Sequence, residues 1–151
     1  MVEVYAVKTT EKLADAEFLA LLSYVSEEKQ ERIKRFYRWE DAHRTLLADI
    51  LIRTIISDKL GIKNKDIIFE KNEYGKPYLK NAGGFHFNES HAGEWVVCAV
   101  DDAPVGIDVE RIRPIKFDIA ERFFTKAECR DLLAKDAAEQ LSYFYDLWTL
   151  K

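Results

Sequence analysis

With 151 residues, 48% of them hydrophobic and 33% charged, the chain has the length and balance of a globular protein that can bury a sizeable core. A net charge of −4 supplies no overall basic field, which argues against nucleic acid as a partner and makes any anion site local. The sequence has no signal-peptide pattern and no apolar run long enough to span a bilayer, which predicts a cytoplasmic protein without a membrane partner. Cys98 and Cys129 have no metal-type spacing and read as reduced thiols.

Val2–Val7 reads as a first strand, with Val2, Val4 and Ala6 alternating against Glu3 and Tyr5. Thr9 to Asp15 is a polar loop, and Ala16–Tyr24 has helical spacing through Phe18, Leu21 and Leu22. Ser26 is the expected N-cap of the next helix, with Glu27 and Glu28 in its first turn. That helix carries Lys29 and Arg32 three residues apart on one face. They form either a solvated basic face or a clamp that grips one dianion. The longest helix is predicted from Trp39 to Leu60, with an apolar stripe of Ala42, Leu46, Leu47, Ile50, Leu51, Thr54 and Ile55 and a stop at Gly61. His43, Arg44 and Thr45 lie near its start, where an anion is favoured, although His43 reads equally as a half-buried histidine.

Short strands follow at Ile67–Glu70, Pro77–Leu79, Phe85–Asn88 and Trp95–Val100, the last nearly all apolar and therefore expected to be central. Asn72 to Pro77 is a turn in which Gly75 is free to take positive φ, and Asn81 to Gly84 is another. The sum is a long helix on an antiparallel sheet, an α+β arrangement. Val105–Glu110 reads as one more strand, which would set Asp108 and Glu110 side by side. Two adjacent carboxylates suit a hard divalent cation such as Mg²⁺; an isolated Asp-x-Glu is common, however, and from this stretch alone an edge strand with a solvated polar face is the more ordinary reading.

Beyond Glu110 the pattern is helical. Ile119–Phe124 is a short helix, and Thr125 to Glu128 has the form of a capping box, which by itself explains Glu128. Leu132, Leu133, Leu141, Phe144, Leu147 and Trp148 continue an apolar face. The sequence ends at Lys151 inside helical periodicity, without a Gly, Pro or polar stop, which suggests that it is cut short. On that reading Phe123, Phe124, Leu132, Leu133 and Phe144 would be partly exposed.

Six segments carry a resemblance when taken in order: Glu40-Asp-Ala-His-Arg-Thr45, Tyr74-Gly-Lys-Pro77, His86-Phe-Asn-Glu-Ser-His91-Ala-Gly93, Gly106-Ile-Asp-Val-Glu110, Phe123-Phe-Thr-Lys-Ala-Glu128 and Trp148-Thr-Leu-Lys151. Together they resemble the 4′-phosphopantetheinyl transferases of the Sfp type, in particular the Bacillus enzymes that activate lipopeptide synthetases such as surfactin synthetase. The likeness runs along the whole chain.

The resemblance implies an α+β fold of two pseudo-twofold-related lobes, each with an antiparallel sheet and a long helix. Residues 1–102 would form the first lobe, and residues 103–151 the first part of an incomplete second. It implies transfer of the phosphopantetheine arm of coenzyme A to a serine of a peptidyl or acyl carrier protein, in the context of nonribosomal peptide synthesis, by an enzyme that is a monomer when full length. Lys29 and Arg32 match positions near the 3′-phosphate of coenzyme A. Arg44, Thr45, Lys76, Pro77, Ser90 and His91 match other positions that contact this substrate. Asp108 and Glu110 match two of three acidic Mg²⁺ ligands, the third being the Glu after Lys in the family's Trp-x-x-Lys-Glu motif. His91, Glu128 and Lys151 join Asp108 and Glu110 as catalytic candidates, with Glu128 a second choice of base behind that missing Glu.

One residue departs from the pattern: Glu89 stands where the family motif has an aliphatic side chain, and a charge in a mostly buried strand is costly unless paired or protonated. It either disturbs the backbone that presents Ser90 and His91 or reaches a cleft edge. Two alternatives to a transferase are an inactive remnant that at most binds coenzyme A and an unrelated metal-dependent phosphohydrolase using Asp108 and Glu110.

Overall fold

A computed structural model describes residues 1–151. They form two compact units, Met1–Val109 and Glu110–Lys151.

In the first unit, β1 (Glu3–Lys8), β5 (Trp95–Asp101) and β4 (His86–Ala92) form an antiparallel sheet in the order β1-β5-β4. The apolar run of β5 is the central strand, as its composition requires: Val96 to Val100 are all buried. A tight turn at Gly93 and Glu94 joins β4 to β5, with Gly93 at φ 57°, and pairs Ala92 with Trp95. The alternation predicted for β1 is present, but on the opposite face. Tyr5 packs against the core, whereas Val2 and Val4 are 51% and 62% exposed. Period two fixes which residues share a face and leaves open which face is buried. A two-stranded ribbon, β2 (Phe69–Lys71) with β3 (Pro77–Leu79), turns through Gly75 at φ 79°.

Three helices complete this unit: α1 (Asp15–Leu22), α2 (Glu27–Lys34) and α3 (Trp39–Leu60). Ser26 caps α2 by accepting from the Lys29 backbone N–H, and Gly61 ends α3 at φ 67°. Helix α3 has the predicted bounds, but its buried surface extends beyond the apolar stripe. Thr54 is exposed and bonds back to the Ile50 carbonyl, while Asp49 and Arg53 are buried. Ile52, Ile55 and Ile56 pack with Phe87, Cys98 and Val100 of the sheet. A second cluster, Leu22, Val25, Ile33, Ala42 and Leu46, joins the three helices.

The predicted strand at Val105–Glu110 is absent: residues 105–109 join no ladder. Side chains hold the segment instead. Asn88 Oδ1 accepts from the Ile107 N–H at 2.8 Å, Ser90 Oγ accepts from the Val109 N–H at 3.2 Å, and Lys76 Nζ donates to the Val105 carbonyl at 2.7 Å. Asn88 and Ser90 lie two apart on β4 and share a face, so the alternation falls on the right residues but pairs with polar side chains rather than a backbone edge.

The second unit packs α4 (Ala120–Phe123), α5 (Lys126–Ala134) and α6 (Ala137–Thr149) around Phe124, Leu132, Phe144 and Tyr145. Phe144 stacks on Trp148 with ring centroids 5.6 Å apart. Partial exposure of the five apolar residues therefore holds only for Phe123 and Leu133, at 57% and 67%; Phe124, Leu132 and Phe144 are buried. Leu133 points away from the apolar face assigned to it. No helix is long and apolar enough to cross a membrane.

Candidate functional site

A cavity of about 140 Å³ lies in the first unit, and two of its walls are helices whose local sequence fixes their direction. The Ser26 cap starts α2 so that Lys29 and Arg32, one turn apart, both line the cavity. Asp49 and Ile52 enter from α3, Phe69 from β2, Pro77 from β3, and Phe87 and Glu89 from β4. Lys29 Nζ lies 3.4 Å from Asp49 Oδ2, while Arg32 is exposed and has no carboxylate within ion-pair distance.

Asp49 is the centre of a buried charge network. Its other oxygen accepts from Arg53 Nε, and Arg53 Nη1 donates to Asn64 Oδ1 at 3.2 Å. The Arg53 guanidinium also sits 5.2 Å from the centroid of the Phe69 ring. Asp49 and Arg53 do not stand out as site residues in the sequence; the signal that marks them is their i,i+4 spacing on one helix. Glu89 Oε1 is enclosed and has no hydrogen-bond partner. Burial pushes the Glu89 carboxyl up to about 7, with Lys29 opposing the rise and Asp49 adding to it. Thus Glu89 projects into the cavity rather than breaking the strand, and β4 keeps its ladder through Ser90 and His91.

On the same side of β4 as Glu89, exposed His91 feels Arg44 and Lys29. Desolvation, then the Arg44 charge, lowers its pKa below the ordinary imidazole value. Arg44 itself is committed, donating to the Gly93 carbonyl at 2.7 Å and to Asp41. Thr45 is buried, 7% exposed, and does not line the cavity. His43 is structural: Nε2 accepts from the Leu13 N–H at 3.1 Å, so Nδ1 carries the proton and donates to the Trp39 carbonyl at 2.8 Å. Its ring stacks on Phe18. Lys76 is likewise held, by the Val105 carbonyl, outside this cavity.

The other face of β4 presents a second group. Ser90 Oγ donates to Asp108 Oδ1 at 2.8 Å while accepting from the Val109 N–H, which fixes the Asp108 carboxylate relative to the strand. In the second unit, Glu110 Oε1 accepts from Trp148 Nε1 at 3.2 Å. Glu128 closes the predicted capping box: its Oε2 accepts from the Thr125 N–H at 2.7 Å, and its N–H donates to Thr125 Oγ1 at 3.2 Å. Lys151 Nζ donates to the same Glu128 oxygen at 2.7 Å. The Lys151 bond, then the Thr125 amide, holds the Glu128 carboxyl below its usual range, which weakens it as a base. No cluster of three or more His, Cys, Asp or Glu side chains that could hold a metal ion is present.

Comparison with known proteins places the chain in a family. Residues 12–103 match the family described as 4′-phosphopantetheinyl transferase, N-terminal, and residues 104–151 match the 4′-phosphopantetheinyl transferase superfamily. The 4′-phosphopantetheinyl transferase Sfp of Bacillus subtilis is 48% identical over 149 residues, covering 99% of this chain and 66% of the relative. The transferase gsp of Aneurinibacillus migulanus is 45% identical, over 100% of this chain and 63% of its own length. The L-aminoadipate-semialdehyde dehydrogenase-phosphopantetheinyl transferase of Mus musculus is 33% identical, over 90% and 48%. The chain thus spans 66% of the length of the Bacillus subtilis relative. With more than half its residues matched by the family's N-terminal profile, the chain belongs to the 4′-phosphopantetheinyl transferases.

Proposed function

We propose that this chain carries the coenzyme A site of an enzyme that transfers the 4′-phosphopantetheine arm of coenzyme A to a serine of a peptidyl or acyl carrier protein. The observation that carries the reading is the cavity that gathers Lys29, Arg32 and Pro77, three positions that match the family's substrate contacts. Arg32 lacks an ion-pair partner, and Lys29 makes only a 3.4 Å pair with Asp49, so both can turn to a phosphate dianion. His91 does not line the cavity, but it is exposed, lies near Arg44 and follows Glu89 by two residues on the same face of β4, where it offers a further donor.

In the reaction the serine oxygen bonds to the phosphorus of the pantetheine phosphate, the pyrophosphate bridge breaks, and 3′,5′-ADP leaves. The serine proton passes to a carboxylate, or to water held by one. Lys29 and Arg32 stabilise the leaving group by holding its 3′-phosphate. Ser90 holds Asp108 in place, and Asn88 pins the backbone one residue before it. Asp108 and Glu110 would hold Mg²⁺: both are oxygen donors, and each has an oxygen beyond the one engaged by Ser90 or Trp148. Bound there, such an ion would neutralise charge on the pyrophosphate. Glu128 serves as the cap of α5 and the anchor of Lys151, not as the base. The two-lobe arrangement, with residues 103–151 belonging to a second lobe, is part of this proposal.

The test is the intact mass of a purified carrier domain incubated with coenzyme A, Mg²⁺ and this chain. Addition of one phosphopantetheine, with 3′,5′-ADP released in equal amount and both lost in Asp108→Ala, is the expected result. Unmodified carrier alongside free hydrolysis of coenzyme A would refute the transfer.

A further inference from the structure

Glu89 is an acid in a cavity read as an anion site, and nothing in the proposed reaction uses it. Its Oε1 is enclosed and unpartnered. An ionised carboxylate placed so would lack a hydrogen-bond partner on that oxygen, and a neutral acid would present a donor to whatever fills the cavity.

The charges around it are set by three neighbouring elements. Helix α2 contributes Glu28, Lys29 and Arg32. From α3 comes Asp49, whose tight partner is Arg53; its pair with Lys29 is the looser one, at 3.4 Å. Strand β2 brings Glu70, which is held by Lys80 and Tyr78, and Lys71. Across the sheet, Glu89 faces Cys98, a buried thiol pushed up to about 12 and therefore uncharged. On β4 itself, His91 follows two residues on. Of the cations, Lys29 is the one that Asp49, an ionised Glu89 and a bound phosphate would all attract.

We propose that Glu89 makes phosphate binding in this cavity proton-coupled: the neutral acid admits a phosphate dianion beside Lys29 and Arg32, and the carboxylate competes with that dianion for Lys29. The inference rests on the reading of Lys29 and Arg32 as the phosphate clamp. It adds that affinity for a phosphate ligand falls as Glu89 ionises, and that binding near neutral pH takes up a proton. Burial that favours the neutral carboxyl places this switch near neutrality.

The experiment is calorimetric titration of the chain and of Glu89→Gln with coenzyme A and with dephospho-coenzyme A. It is run at pH 7.0 and pH 8.5, in buffers of different ionisation enthalpy. Above pH 7 the ligand phosphate is already a dianion, so its own titration adds little. A dianion that raises the Glu89 pKa from about 7 by about one unit makes the wild-type Kd for coenzyme A rise about fourfold across this range, out of about tenfold for the full titration. Proton uptake should accompany binding at pH 7.0. Glu89→Gln should bind with a nearly pH-independent Kd and without that uptake, and dephospho-coenzyme A should show little of either effect. Proton uptake is read on the unaltered chain, so the test stands even if the variant fails to fold. Coenzyme A binding with the same pH profile and proton count in both proteins would overturn this inference and leave the clamp standing. No binding of coenzyme A to either protein at any pH would overturn both.

Discussion

Glu89 also has a consequence for stability that can be worked out without any ligand. Its carboxyl is raised from 4.5 to about 7 in the folded chain, chiefly by burial. Between those two values the folded state binds more protons than the unfolded state, so stability falls as pH rises through this window. Below pH 4.5 the carboxyl is neutral in both states and costs nothing; above about 7 the full penalty applies. At 1.36 kcal/mol per unit of pKa, that penalty is on the order of 3 kcal/mol. Glu89→Gln keeps the shape of the neutral acid and cannot ionise. Urea denaturation at pH 4.5 should find the two proteins within about 0.5 kcal/mol of one another. At pH 8.5 the variant should be more stable by roughly 2–3 kcal/mol, a melting-temperature rise on the order of 10 °C at this chain length. A difference that is the same at both pH values would mean that Glu89 ionises in place at no cost, and the burial argument would fail.

Asp49→Ala should destabilise the chain by about 3–5 kcal/mol in the same assay, because Arg53 would be left buried without its carboxylate. The double replacement Asp49→Leu with Arg53→Leu should cost clearly less than the sum of the single ones; simple additivity would mean that the pair is not coupled. His43, held neutral between the Leu13 N–H and the Trp39 carbonyl, has its pKa lowered mainly by desolvation. Here the folded state binds fewer protons than the unfolded one, so this contribution to stability is lost as pH falls below 6.5. Its ring-proton resonance should titrate below 6.5, and a midpoint at or above that value would contradict the assignment.

What the sequence made legible was local. The Ser26 cap, the stop at Gly61, the turn at Gly75 and the Thr125–Glu128 box each depend on residues within one turn of each other, and each is found where the spacing puts it. The bounds of α3 and the central place of β5 follow from long apolar patterns. What depends on distant partners was not legible. The buried face of β1 is chosen by α3 and β5, not by its own alternation. Residues 105–109 look like a strand because they alternate, but they are held by Asn88, Ser90 and Lys76, whose side chains take the place of a ladder. Asp49 and Arg53 resemble surface charges in a helix until the fold brings Asn64 and Phe69 over them. Of the site, the Lys29–Arg32 pair could be read from its spacing, whereas the cavity needed β4 and its Glu89.

The claim that this cavity holds a phosphate of coenzyme A is tested most directly by calorimetric titration of the chain and of the doubly charge-reversed Lys29→Glu, Arg32→Glu variant. Coenzyme A and dephospho-coenzyme A, which differ only by the 3′-phosphate, are the two ligands. The unaltered chain should prefer coenzyme A, and the variant should lose at least about a hundredfold in its affinity for coenzyme A, since each charge-assisted contact contributes roughly 1.5–3 kcal/mol. For dephospho-coenzyme A the loss should be far smaller. Equal losses for both ligands, or no preference in the unaltered chain, would contradict the assignment of Lys29 and Arg32 to that phosphate.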